Sequence, residues 1–390
     1  MMDRDVHAPG SSTAQAIRPG RRRCGPSGPH RQTAVRSARA PQPPAVRPEP
    51  RRRQPPPSLL AASGVALALM LGGCGAERAA PLAPLNIDPA RVSVSGMSSG
   101  AYMAQQLHLA YADRIHGAAL LAGGPYGCAR GDLQIALGGC MAPPPDALPD
   151  VSALAASVRA KAADGALSPI EALAGDRVLV WHGSLDTTVS EPVSRAAAEL
   201  YRSLHEAVVI LEDFDDPVAH VLPAAGQGGD CSVAASPYVA ACGIDLVGEV
   251  IRTLHPESAE AAEVPSGTLR TFDAALLADD EQPGAAEGYV YVPQACEQGA
   301  RCGLHIALHG CQQDAASIGQ AFVAGAGYNR WADAANLVVL YPQAQASYMP
   351  LNPKACWDWW GYTGPDYDTR NGAQMRWIAA MARALGAPLD

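Results

Sequence analysis

The chain has 390 residues, room for two or three average domains, although a single α/β domain can occupy most of such a length. Residues 1–56 hold 12 Arg against 3 acidic side chains, so the remainder carries 17 basic groups against 35 acidic ones, a balance of −18. A surface of that sign repels nucleic acid and anionic lipid headgroups, which leaves a neutral or small substrate as the expectation.

Residues 1–56 are rich in Arg and Pro and almost free of large apolar side chains, so they are expected to be disordered. Residues 57–74 carry no charge and hold an apolar run from Leu59 to Leu71, preceded by Arg51, Arg52 and Arg53. That is the layout of a secretory signal, and the run is shorter than the about 20 residues of a transmembrane helix. Export is therefore predicted, to the periplasm or the cell exterior. The distance of this segment from Met1 suggests a true start downstream of the first residue. Leu71-Gly72-Gly73-Cys74 has the form of a lipoprotein processing box, with Cys74 as the lipidated residue; an ordinary signal with an incidental Cys is the alternative. The body of the protein is then residues 75–390.

Of ten cysteines, Cys24 and Cys74 lie in the N-terminal segments and eight in the body. An even number in an exported chain argues for disulfides, and the short gaps suggest Cys128 with Cys140, Cys231 with Cys242 and Cys296 with Cys302, leaving Cys311 with Cys356. Zinc is the competing use, but no Cys-x-x-Cys pair or His-Glu-x-x-His run occurs, so neither a metal nor any other cofactor is expected.

Arg91 to Gly100 reads RVSVSGMSSG, a short β-branched strand entering Gly96-Met97-Ser98-Ser99-Gly100 and then a helix-like stretch. A Gly-x-Ser-x-Gly elbow requires this setting: the turn is so sharp that flanking side chains would strike neighbouring backbone. Ser98 is the predicted nucleophile. Such a fold supplies its remaining catalytic groups in the order Asp, then His, each from a loop after a strand. Arg177 to Gly183 (RVLVWHG) is a strand pattern followed by Asp186, whose alternative use is to cap the next helix. Ala207 to Phe214 (AVVILEDF) is the next strand, and His220 lies in the loop after it, the best candidate for the base. His182 is read as shaping the Asp186 loop, His108 and His116 lie on or after the elbow helix, and His205 and His255 are read as surface residues.

Ester hydrolysis builds negative charge on a carbonyl oxygen, and two backbone amides aimed at it supply much of the stabilisation. One follows the nucleophile, here Ser99. The other comes from a His-Gly loop that ordinarily lies upstream of the serine; here the good candidate, Leu304 to Gln313 (LHIALHGCQQ), lies far downstream. A helical stretch to Ala335, the strand Leu337 to Tyr341, Cys356-Trp357-Asp358-Trp359-Trp360 and a closing helix follow. Joining the end of the chain to the start of its body would restore an uninterrupted hydrolase order, so the expected fold is a single-domain α/β-hydrolase of circularly permuted topology. It should have a mostly parallel sheet with helices on both faces.

GMSSG, HGSLDTTV, AHVLP, SPYVAACGID, LHGCQQ and CWDWWG, in that order, resemble the circularly permuted catalytic domain of poly(3-hydroxybutyrate) depolymerases over residues 85–385. The resemblance implies Ser98, Asp186 and His220 as a triad, the amides of Ser99 and Cys311 as oxyanion hole, and Trp357 at the substrate groove, with a polyester or its hydroxyalkanoate oligomers as partner. Two departures stand out: the loop before His220 lacks a Gly next to that His, and no Thr-rich linker or polymer-adsorbing domain follows the body. Adsorption through the body's own surface, with Tyr126, Tyr238 and Tyr362 as exposed aromatics, or action on amorphous granules and soluble oligomers is then expected. Trp357, Trp359 and Trp360 either wall an apolar pocket or pack in the core and against a disulfide. Rival functions are a carbohydrate acetyl or feruloyl esterase and a non-catalytic surface lipoprotein that binds esters or glycans.

Overall fold

The computed structural model describes residues 79–226, 228–279 and 283–390. The readings for residues 1–56 and 57–74, Cys74 included, lie outside them. Ten strands are present among the described residues: β1 (Ile87–Met97), β2 (Gly117–Leu121), β3 (Arg177–Trp181), β4 (Val209–Asp213), β5 (Leu222–Ala224), β6 (Val239–Ala241), β7 (Thr268–Asp273), β8 (Glu287–Val292), β9 (Cys302–Leu308) and β10 (Leu337–Tyr341). Eight form one sheet in the order β4-β3-β2-β1-β9-β10-β8-β7, and β5 pairs with β6 separately. From β4 to β10 all neighbours are parallel; only the β10–β8 and β8–β7 pairs are antiparallel.

The central strands are apolar on both faces, as a covered parallel sheet requires. Alternation sends Val92, Val94, Leu120, Val180, Ile306 and Leu340 to one face. There they meet α1 (Ser99–Ala110), α3 (Val151–Ala163), α4 (Glu191–Leu204) and α10 (Ala373–Leu385). Leu121, Leu179, Trp181, Ala307 and Val339 point the other way, against α5 (Leu246–Leu254) and α9 (Tyr328–Ala335). The mostly parallel sheet with helices on both faces is thus present. Short helices α2 (Leu133–Gly139), α6 (Gln294–Glu297), α7 (Ala315–Ile318) and α8 (Ala321–Gly325) decorate the connections. Asp132, Asp150 and Asp245 cap α2, α3 and α5 by accepting backbone N–H groups of the first turn.

The helical stretch expected to reach Ala335 is broken into α7, α8 and α9. Gly319 and Gly327 adopt φ of 61° and 108°, which end one helical turn and start the next in a new direction. The ends of the body meet: the Leu85 N–H donates to the Leu385 carbonyl at 2.9 Å, so the chain leaves α10 where it enters β1.

One reading of a histidine needs correction. His255 is not a surface residue; it is 4 % exposed and joins a buried polar chain beneath the sheet. Ser93 Oγ bonds His255 Nε2 and His305 Nδ1, each at 2.8 Å, and Ser95 Oγ bonds His305 Nε2 at 2.8 Å and the Tyr328 hydroxyl at 2.7 Å. The alternation of Ser with Val in RVSVS hid this, because two serines on one strand face read as a polar edge. His108, similarly buried, sits between the Tyr201 hydroxyl and Asp176 at 2.7 and 3.1 Å.

Burial pushes His255 down from 6.5 to about 4, helped by the nearby Arg91 cation, and pushes His305 down to about 3. Both rings stay neutral when folded at pH values where the unfolded chain has already protonated them. The unfolded state therefore binds more protons below pH 6.5, and stability must fall as the pH drops from there toward 4 and then 3. Denaturant midpoints measured across that window should decline in the parent protein and decline less steeply in His255→Gln. Parallel slopes for the two proteins would exclude this origin of acid sensitivity.

Candidate active site

Every residue singled out for chemistry follows the carboxyl end of a parallel strand: Ser98 after β1, Asp186 after β3, His220 after β4 and His309-Gly310-Cys311 after β9. At Ser98 the chain turns from β1 into α1 with φ 56° and ψ −119°, a conformation costly for any residue with a Cβ. The turn is held because the Ser98 N–H donates to the Leu121 carbonyl at 2.8 Å and its carbonyl accepts the Ala101 N–H at 2.8 Å. Glycine is obligatory on both sides. A Cβ on Gly96 would lie 2.0 Å from the Gly100 carbonyl oxygen, and one on Gly100 would lie 2.4 Å from that of Leu308.

His220 Nε2 is 2.8 Å from Ser98 Oγ, and His220 Nδ1 is 2.6 Å from Asp186 Oδ2. The Asp186 side chain is fully buried, while His220 keeps a small exposed edge. Asp186 Oδ1 accepts the N–H groups of Thr188 and Val189 at 2.7 and 3.1 Å, so the carboxylate is satisfied on both oxygens and cannot rotate freely. The capping alternative for Asp186 and its orienting role are therefore compatible: one oxygen holds the loop, the other the histidine. His182 does shape this loop, its Nε2 lying 2.9 Å from the Val189 carbonyl.

The Asp and His loops are clamped together. The Ser184 N–H donates to the Asp216 carbonyl at 2.8 Å and the Leu185 N–H to that of Val218 at 3.1 Å; a Cβ on Gly183 would sit 2.1 Å from the latter oxygen. Ala219 stands where a Gly next to the histidine was missed, and its N–H donates to the Cys231 carbonyl at 2.7 Å. The Cys231–Cys242 disulfide thus steadies the loop that presents His220.

The His-Gly loop meets Ser98 because β1 and β9 are paired in parallel, Gly96 opposite Leu308. Gly310 packs so closely that a Cβ there would be 3.2 Å from Ser98 Cβ. Gln313 folds back to accept the Gly310 N–H at 2.6 Å and donates to the Tyr238 carbonyl at 2.8 Å. His309 anchors the loop from behind: its Nε2 accepts the Ala344 N–H at 3.0 Å, which leaves Nδ1–H to donate to the Gly310 carbonyl at 2.7 Å. Burial lowers the basicity of this ring, in keeping with a neutral, fixed tautomer. All four expected disulfides are formed, and Cys311–Cys356 ties this loop to the tryptophan segment.

A groove of about 540 Å³ opens over Ser98 and His220, with Ser99 and Cys311 on its wall. Its apolar side is built by Tyr102, Leu133, Leu137, Met141, Trp359 and Trp360. Here the structure corrects the sequence: Trp357 does not line the groove but is fully buried, its ring 5.3 Å from that of His309. Tryptophans two apart on an irregular turn point in different directions, and it is Trp359 that lines the groove, stacked on Tyr102 with centroids 4.2 Å apart. Tyr126 is likewise buried rather than exposed, and Tyr238 and Tyr362 are half-buried. Sequence reasoning missed Tyr102, although its place one turn after Ser98 on the elbow helix was a usable signal.

Asp358, also missed, organises the turn. Its fully buried carboxylate accepts the N–H groups of Trp360, Gly361, Tyr362 and Thr363 at 2.7 to 3.3 Å and the Thr363 hydroxyl at 2.6 Å. Burial pushes this carboxyl upward while the same hydrogen bonds oppose the shift.

No family model matches the chain. It is 38 % identical over 327 residues to a poly(3-hydroxybutyrate) depolymerase of Delftia acidovorans, which covers 82 % of this chain and spans only 64 % of that relative's length. It is 33 % identical over 332 residues to a polyhydroxybutyrate depolymerase of Talaromyces funiculosus, covering 80 % of this chain and 94 % of the relative. Among solved structures, a PHB depolymerase complexed with an R3HB trimer matches with a TM-score of 0.71 at 31 % identity, covering 78 % of this chain and 98 % of the other.

Asp358→Ala should orphan five buried donors, cost about 3 kcal/mol of stability and raise KM for esters more than it lowers kcat. Denaturant unfolding and steady-state kinetics on the variant check both; an unchanged midpoint with an unchanged KM would remove Asp358 from the architecture of the groove.

Proposed function

Because the chain belongs to the poly(3-hydroxybutyrate) depolymerase family, we propose that it is a serine esterase that hydrolyses poly(3-hydroxybutyrate) or its oligomers through an acyl-enzyme. The observation that supports this most is the unbroken line from Asp186 through His220 to Ser98, at 2.6 and 2.8 Å, opening onto a largely apolar groove. Ser98 Oγ adds to the ester carbonyl carbon as its proton passes to His220 Nε2. Asp186 keeps the Nδ1–H tautomer and stabilises the imidazolium. The Ser99 and Cys311 amides receive the developing oxyanion; neither donates to another group among the described residues. Collapse expels the alcohol end of the chain, which takes the proton from His220, and water repeats the sequence to release the hydroxy acid.

Adsorption to polymer through the body's own surface fits the rim of the groove. Leu137 and Leu351 line it, and Tyr348 and Met349, next to Leu351, are 82 % and 93 % exposed. Export by the apolar run 59–71, with lipid on Cys74 as a possible tether, completes the reading, and no helix among the described residues is long and apolar enough to cross a membrane. The meeting of Leu85 with Leu385 supports a permuted order, since permutation is tolerated where the original termini were close.

Ser98→Ala should reduce ester turnover by about four orders of magnitude or more while leaving the circular dichroism spectrum and unfolding midpoint near those of the parent. A fluorophosphonate should label the parent at Ser98 and not the variant. Release of 3-hydroxybutyrate from a polymer suspension, set against release of acetate or ferulate from xylan, decides the substrate class. Preferential release from xylan would replace the polyester assignment with that of a carbohydrate esterase.

A further inference from the structure

The body of this protein carries twice as many acidic as basic groups, yet among the described residues no Asp or Glu lines the groove. The one formally charged residue on its wall among them is Lys354, and Lys354 makes no ion pair there. It is also one of just two lysines in 390 residues; the other, Lys161, is bound to Asp368 at 2.6 Å.

The backbone of Lys354 is fixed beside the reacting centre. Its carbonyl accepts the Gln312 N–H at 2.7 Å, immediately after Cys311. Asn352 brackets it from the other side by accepting the Cys356 N–H and donating to the Cys356 carbonyl, each at 2.9 Å, and Cys356 is bonded to Cys311. The Lys354 backbone is thereby held on the same loop pair as the Cys311 amide, along a wall with no other formally charged residue among the described ones.

An internal stretch of a neutral polyester offers such a cation nothing but ester oxygens, whereas the carboxyl end of every chain, and every short oligomer, ends in a carboxylate. We propose that Lys354 binds that terminal carboxylate and so makes the groove select acid chain ends and oligomers over internal segments. This rests on the polyester reading for its substrate. An ion pair at a solvent-exposed lysine is worth up to about fivefold in affinity, and the advantage should shrink as salt rises.

The test compares kcat/KM for the 3-hydroxybutyrate trimer as free acid and as its methyl ester. The parent should favour the acid about three- to fivefold at low ionic strength, K354R should keep the preference, and K354Q should bring the ratio to about one. A parent ratio near one, or a ratio that survives in K354Q, overturns the proposal, including the case in which K354Q slows both substrates equally. A second measurement does not depend on turnover. Reductive ¹³C-methylation of Ser98→Ala labels Lys161 and Lys354, and titration with the trimer acid should move the Lys354 signal and leave that of Lys161 in place. An unmoved Lys354 signal refutes the proposal. Absence of turnover for both trimers alongside a moving Lys354 signal would refute the esterase reading instead.

Discussion

The structure depends on the parallel pairing of β1 with β9, two strands more than 200 residues apart in the chain whose ends nevertheless emerge side by side. Because Gly96 stands opposite Leu308, the residues that follow each strand, Ser98 on one and Gly310 on the other, are forced into contact. The approach is closer than side chains permit. At Gly100 a methyl group would collide with the carbonyls of both Leu308 and His309, so glycine there is a condition for Ser98 and the Gly310-Cys311 loop to share one site. The strain at Ser98, with φ 56°, is supported by the same contact, since a loop packed against both sides of a turn leaves it no relaxed alternative.

Around that junction the buried charges are handled one by one. A carboxylate removed from water is costly unless its oxygens are hydrogen-bonded, and Asp186 meets this with two backbone amides and the His220 ring. Asp358 meets it with four amides and a hydroxyl on the neighbouring wall. The two acids do different work with the same chemistry. Asp186 leaves one oxygen for the His220 ring, whereas Asp358 spends both on its own turn and so fixes the segment that carries Trp359 and Trp360. His309 and Gln313 extend the scheme to the His-Gly loop, where both side chains are committed to holding backbone.

The sequence disclosed the parts of this arrangement that rest on local rules. An elbow needs two glycines, a strand needs its β-branched run, and an acid and a base must follow strands in order, so Ser98, Asp186 and His220 could be placed without coordinates. The disulfide partners could be placed from spacing. What was illegible depends on direction. Whether Trp357 or Trp359 faces the groove is set by an irregular turn with no period, and the burial of His255 is set by α5 crossing the sheet beneath Ser93. The break of the 315–335 helix at Gly319 and Gly327 was hidden because isolated glycines occur inside helices as well as between them.

The disulfides show where rigidity is needed. Three of the four close loops with sequence separations of only 6 to 12, and the entropy model assigns such short loops less stabilisation than long ones. Stability alone would favour cross-links between distant parts of the chain. Instead Cys231–Cys242 lies behind the His220 loop, Cys128–Cys140 beneath the wall formed by Leu133 and Leu137, and Cys311–Cys356 between the oxyanion loop and the tryptophan turn. These segments lie beyond the strand ends of the eight-stranded sheet, whose hydrogen-bond ladder does not reach them. A site built on such loops must have its geometry fixed before substrate arrives if an oxyanion is to be met by amides already in place, and covalent links supply what the sheet cannot extend to them.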